Sequence, residues 1–114
     1  MEQKIINLTL LLVIQEIAEI LTDYPENPYQ FVFSPQRGLQ KLINHVLNQI
    51  PNHYYTILDE KEELPTDLSS LYASLEERMQ LEAIIRKSIF ELLQEYLEEI
   101  NGYVFEEADS LWLL

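Results

Sequence analysis

SPQRGLQKLINHVLNQIPNHYYTIL, residues 34–58, decides how this chain is read. Ser34 is a helix-capping type, and Pro35 suits a first helical position, where its missing N–H would have had no partner. Pro51 closes the element, because the residue before a proline is pushed out of the helical region. Between these marks Leu39, Leu42, Ile43, Val46 and Ile50 recur at the spacing of one buried helical face. Arg37, Lys41, Asn44 and Asn48 fall on the other side as a polar stripe. Beyond Pro51, the Tyr, Thr and Ile of NHYYTIL favour an extended segment, a short strand at 53–58. No second strand pattern lies nearby, so its expected partner is its own copy across a dimer.

Upstream, residues 4–22 predict a first helix. Ile6, Leu10, Val13, Ile14, Ile17, Ile20 and Leu21 form its core face, with Gln15, Glu16 and Glu19 opposite. Ile5, Leu8 and Leu12 make a second apolar group on that opposite side. Another element of the chain could cover it, or a second subunit; a chain this short has few elements left, which favours the subunit. Residues 23–33, DYPENPYQFVF, read as a connection stiffened by Pro25 and Pro28, with Phe31 and Phe33 expected to anchor it in the core.

Downstream, residues 59–66 read as a charged loop and 67–100 as helical. Asp67 suits the cap of a short first piece, and Ser74 with Glu77 forms a capping box for the main helix. Leu75, Met79, Leu81, Ile84, Ile85, Ile89, Leu92, Leu93, Tyr96 and Ile100 form a broad apolar stripe. Glu91, Glu95, Glu98 and Glu99 are expected to face solvent, and Asn101-Gly102 to stop the helix. The apolar end around Trp112 is expected to dock on the body of the protein or on a partner. The whole is one mainly α domain, residues 1–114, of three to four helices. Ile5, Leu8, Leu12, Tyr55 and Trp112 are the candidate interface residues of a homodimer.

Composition narrows the function. The chain has 114 residues, 47% of them apolar, with a net charge of −13 and no Cys. Disulfides and thiolate metal sites are excluded, and no metal or cofactor is expected. The apolar stretch Ile5–Ile14 lacks the flanks of a signal peptide and is too short to cross a bilayer, so the expectation is a cytoplasmic protein without membrane insertion. Residues 59–114 hold fifteen acids against four Lys or Arg. Such a surface repels nucleic-acid phosphates, so broad nucleic-acid binding is not expected. One window differs: Asn27 to Leu58 contains no acid but includes Arg37, Lys41, His45 and His53. There the helix start at Ser34-Pro35-Gln36-Arg37-Gly38 offers backbone N–H groups and the positive end of the helix dipole to an anion. Arg37, Lys41, Asn44 and Asn48 are the candidate ligand residues, against the plainer reading of a solvated face. No catalytic constellation is complete. Two glycines cannot build a phosphate loop, no Ser lies in a nucleophile elbow, and neither His has a suitably spaced acid.

Residues 42–55, LINHVLNQIPNHYY, resemble late competence development proteins of the ComFB type, in which a helix ending like "AYALNRLPPxY" runs into an extended stretch. The resemblance is specific over 42–55 and covers the architecture of about residues 5–100. It implies a small helical homodimer without enzymatic activity. In cyanobacterial relatives it implies a receptor for cyclic dinucleotides, above all cyclic di-GMP, linked to competence and motility. The zinc-binding cysteines of Bacillus-type members are absent here. The family's Arg in "LNR" is Gln49, which leaves Arg37 and Lys41 to supply positive charge. The alternative function is a helical adaptor that docks on another protein and takes no small ligand.

Overall fold

The computed structural model describes residues 2–63 and 75–112, with side chains over 2–63 and 76–100. Strand β1 (Gln3–Asn7) leads into helix α1 (Leu8–Leu21). A wide helical turn at Glu26–Gln30 and the short helix α2 (Phe31–Phe33) precede helix α3 (Gln36–Leu47). Strand β2 (Tyr55–Asp59) and the long helix α4 (Leu75–Trp112) complete the order. Among the described residues the fold is therefore mainly helical, as the hydrophobic spacing predicts, with one short two-stranded sheet.

The sheet has a different partner from the expected one. β2 pairs antiparallel with β1 of the same chain, with Ile5 opposite Ile57 and Asn7 opposite Tyr55. Residues 4–7 are thus strand, not the first turn of a helix. The β-branched pair Ile5-Ile6 suits the extended state, and β2 offers it a ladder of backbone partners. Asn7 then caps α1: its Oδ1 accepts from the Leu10 N–H at 3.0 Å. The Tyr54 carbonyl accepts from Leu8 N–H at 2.9 Å and Thr9 N–H at 3.3 Å, and Tyr54 N–H donates back to Thr9 Oγ1 at 2.7 Å. The donors that open α1 are therefore satisfied by the segment that leads into β2.

The core lies where α1, α3 and α4 meet. Val13, Ile17, Leu42, Val46, Ile85 and Ile89 are completely buried there. The α3 face is the expected one in Leu42, Ile43 and Val46. The α1 face is rotated, because it must touch both α3 and α4: Ile14 is exposed, while Leu12 and Glu16 are buried. Glu16 can lie inside because Arg78 of α4 meets its carboxylate at 3.5 Å. Of the loop aromatics, Phe33 is buried and Phe31 is exposed.

Helix ends also differ from the sequence expectation. Pro35, extended in backbone, holds the cap position of α3, and Gln36 is its first residue. The Ser34 hydroxyl does not cap; it donates to Gln30 Oε1 at 3.0 Å. At the other end α4 continues through Asn101-Gly102 to Trp112. The caps expected at Asp67 and Ser74 lie outside the described residues.

Candidate functional site

The joint between α2 and α3 builds a surface groove. Phe33 is pinned in the core, so α2 turns back against the first turn of α3. The two backbones approach so closely at Gly38 that a Cβ there would fall on the Val32 carbonyl. The resulting groove has a volume of about 860 Å³. Its walls include Phe31, Pro35, Arg37 and Lys41 from this joint, and Tyr96 and Glu99 from α4.

The open end of α3 faces the same joint. Among the described residues the N–H groups of Gln36, Arg37 and Gly38 have no acceptor, and the first α3 N–H to bond backward is Leu39, to Pro35 O at 2.9 Å. They carry the positive end of the helix dipole. Arg37 is exposed and makes no ion pair among the described residues. Lys41 meets Glu95 of α4 at 3.5 Å. Glu99 also lines the groove, so two carboxylates stand against the two bases, and Arg37 is the base without an ion pair among the described residues.

Only two of the four proposed ligand residues reach this place. Arg37 and Lys41 line the groove, whereas Asn44 and Asn48 continue along α3 away from it. Asn44 Oδ1 accepts from Gln40 Nε2 at 3.0 Å, and Asn48 caps the end of the helix. Gln49, at the position of the family arginine, is committed elsewhere: its amide donates to the buried Ser88 Oγ at 2.9 Å and to His45 O at 3.1 Å. Phe31 and Tyr96 were missed as groove residues. Phe31 was expected in the core and reaches the groove only because α2 turns it outward; Tyr96 enters through the packing of α4.

The proposed interface residues divide. Ile5 and Tyr55 share the outer face of the β1–β2 ribbon with Ile57, and all three are exposed. Leu8 is half-buried. Leu12 is covered within the chain and lines a second hollow, of about 360 Å³, beside Ile50, Tyr54, Leu81 and Ile84. The Trp112 side chain lies outside the described residues.

The histidines take up local partners. His53 Nε2 lies 3.2 Å from the Leu47 carbonyl, and His45 Nε2 lies 3.1 Å from Glu91 Oε2, bridging α3 and α4. The fold thus supplies His45 with the acid that sequence spacing did not, but on an open surface and outside the grooves described above. A further cleft gathers Glu16, Glu19, Asp23 and Glu82 around Arg78 and Arg86. Arg86 donates to Asp23 at 3.0 Å and Glu82 at 3.1 Å and lies over the Tyr24 ring. The Tyr24 hydroxyl and these carboxylates hold its guanidinium well above the ordinary arginine range, so it stays charged at any working pH. Among the described residues no three His, Asp or Glu side chains converge as metal ligands. No helix among them is long and apolar enough to cross a membrane. Comparison with family models, curated proteins and solved structures gives no match to this chain.

Proposed function

We infer that this chain is a non-catalytic regulatory binding protein of the ComFB-like kind, working as a homodimer, and that the groove between α2, α3 and α4 takes an anionic ligand. The observation that carries this reading is the free Arg37 guanidinium beside the unbonded N–H groups of Gln36, Arg37 and Gly38. An anion there gains backbone donors, the helix dipole and a guanidinium that has no ion pair among the described residues. Phe31 and Tyr96 add faces on which a planar base can stack. The resemblance at 42–55 points to a cyclic dinucleotide, cyclic di-GMP first, and to a role in competence or motility.

Calorimetric titration with cyclic di-GMP and cyclic di-AMP tests the reading. Binding should appear with one of them and weaken at least tenfold in Arg37→Ala. Absence of heat at high micromolar nucleotide with either ligand would remove the receptor function.

A second reading, the helical adaptor, has its own observation. Ile5, Tyr55 and Ile57 form an exposed apolar face on the ribbon, at 76%, 59% and 59% exposure. Ile5→Thr with Ile57→Thr should then abolish capture of a protein partner, while nucleotide titration stays silent in the wild type.

A further inference from the structure

The hollow beside Leu12 is a second place where this chain can hold a small molecule. Three segments make it: the first turn of α1, the link at 50–54 after α3, and the first turns of α4. Tyr54 is tied to α1 by the bonds of its carbonyl to Leu8 and Thr9 N–H and of its own N–H to Thr9 Oγ1. The link therefore stays against α1, and α4 forms the third side. The volume, about 360 Å³, suits a compact ligand. The hollow shares no residue with the groove of Arg37, whose α4 wall is Leu92, Tyr96 and Glu99.

Its lining is apolar in the depth and acidic at the rim. Leu12 and Leu81 are buried, and Ile50 and Ile84 are half-buried. Thr9 brings a polar atom to this apolar floor at 5% exposure. Its Oγ1 accepts from Tyr54 N–H at 2.7 Å, while its O–H meets no acceptor among the described residues. A buried hydroxyl donor is normally satisfied, so this one is open to an acceptor inside the hollow. At the rim stand Glu76 and Glu77, in the first turn of α4. No Lys, Arg or His lines the hollow among the described residues. Arg78, next in sequence, is turned into a separate cleft, 3.5 Å from Glu16 and 3.8 Å from Glu19.

These features select the guest. An anion would face two carboxylates with no base to offset them. A wholly apolar molecule would leave the Thr9 O–H unanswered, and a small inorganic cation would gain nothing from the leucine floor. We propose that the hollow binds a small amphipathic organic amine: an apolar body seated on Leu12, Leu81 and Ile84, an oxygen at its inner end accepting from the Thr9 hydroxyl, and an ammonium at its outer end held by Glu76 and Glu77. The site stands apart from the nucleotide reading, and each is tested with its own ligand.

Tyramine has this order of groups and serves as the probe for calorimetric titration of the full chain. A molecule of about ten heavy atoms should reach a dissociation constant of about 1 mM or better. 4-Hydroxyphenylacetate, the same body with a carboxylate in place of the amine, should bind at least tenfold more weakly. 2-Phenylethylamine, which lacks the oxygen, should lose about threefold. Glu76→Gln with Glu77→Gln should weaken tyramine at least fivefold and leave helical circular dichroism unchanged. Should that variant lose its fold, amide shifts of the wild type keep the test decisive: tyramine should move Thr9, Asn52, Tyr54 and Gln80 and leave Arg37 and Lys41 in place. Absence of saturable tyramine binding, equal affinity for either comparison ligand, a folded double variant of unchanged affinity, or shifts confined to other residues would each overturn the proposal.

Discussion

Replacing Gly38 by Ala separates the tertiary structure from the sequence most sharply, because the two give opposite signs. In an exposed helix interior the change stabilises by about 1 kcal/mol, since glycine loses more backbone freedom on folding. Its backbone is not in the left-handed region, so alanine meets no conformational obstacle. The obstacle is α2. A Cβ at position 38 would overlap the Val32 carbonyl oxygen and lie 3.0 Å from the Val32 carbonyl carbon. Both are backbone atoms, so no side chain can swing away. α2 would have to retreat from α3, drawing the 1%-exposed Phe33 with it. Overpacking of this kind costs about 1–3 kcal/mol. Partial exposure of a phenylalanine adds on the order of 1 kcal/mol. Set against the helix-propensity gain, the net loss is about 2 kcal/mol, or roughly 10 °C in Tm for a chain of this size. Urea unfolding followed by far-UV circular dichroism should show a lower midpoint with an unchanged slope. A Gly38→Ala chain as stable as the wild type, or more so, would refute the close approach of α2 and α3 and with it the shape of the groove.

Two further substitutions probe other joints. Thr9→Val keeps the shape of a buried side chain but leaves the Tyr54 N–H without its 2.7 Å acceptor; a loss of about 1–2 kcal/mol is expected in the same unfolding assay, and a neutral result would contradict the tie between α1 and the β2 approach. Ile85→Ala empties the completely buried centre of α4; it should cost about 3 kcal/mol, whereas a cost under 1 kcal/mol would mean that α4 does not seal the core.

Much of this fold is legible in residue spacing. The inner face of α3, Leu42, Ile43 and Val46, follows from the helical period alone, because burial of one stripe is a local demand on a sequence. The extended segment before Asp59 is legible from its strand-prone Tyr, Thr and Ile. The site is only partly legible. Arg37 and Lys41 stand out as bases in an acid-free window, but their groove requires the turn of α2 and the passage of α4, which no spacing along the chain encodes.

The sequence by itself therefore determined the helical class, the faces of α3 and most of α4, and the acidic surface with its one basic window. These depend on period and charge, which are properties of neighbouring residues. The tertiary structure alone decided that residues 3–7 join β2 as a strand, that Glu16 turns inward to Arg78, and that His45 meets Glu91. Each pairs groups far apart in the chain, and local propensity yields there to a partner that only folding supplies. It also gave Leu12 cover within the chain, while Ile5 on the ribbon and Phe90 on α4 stayed exposed.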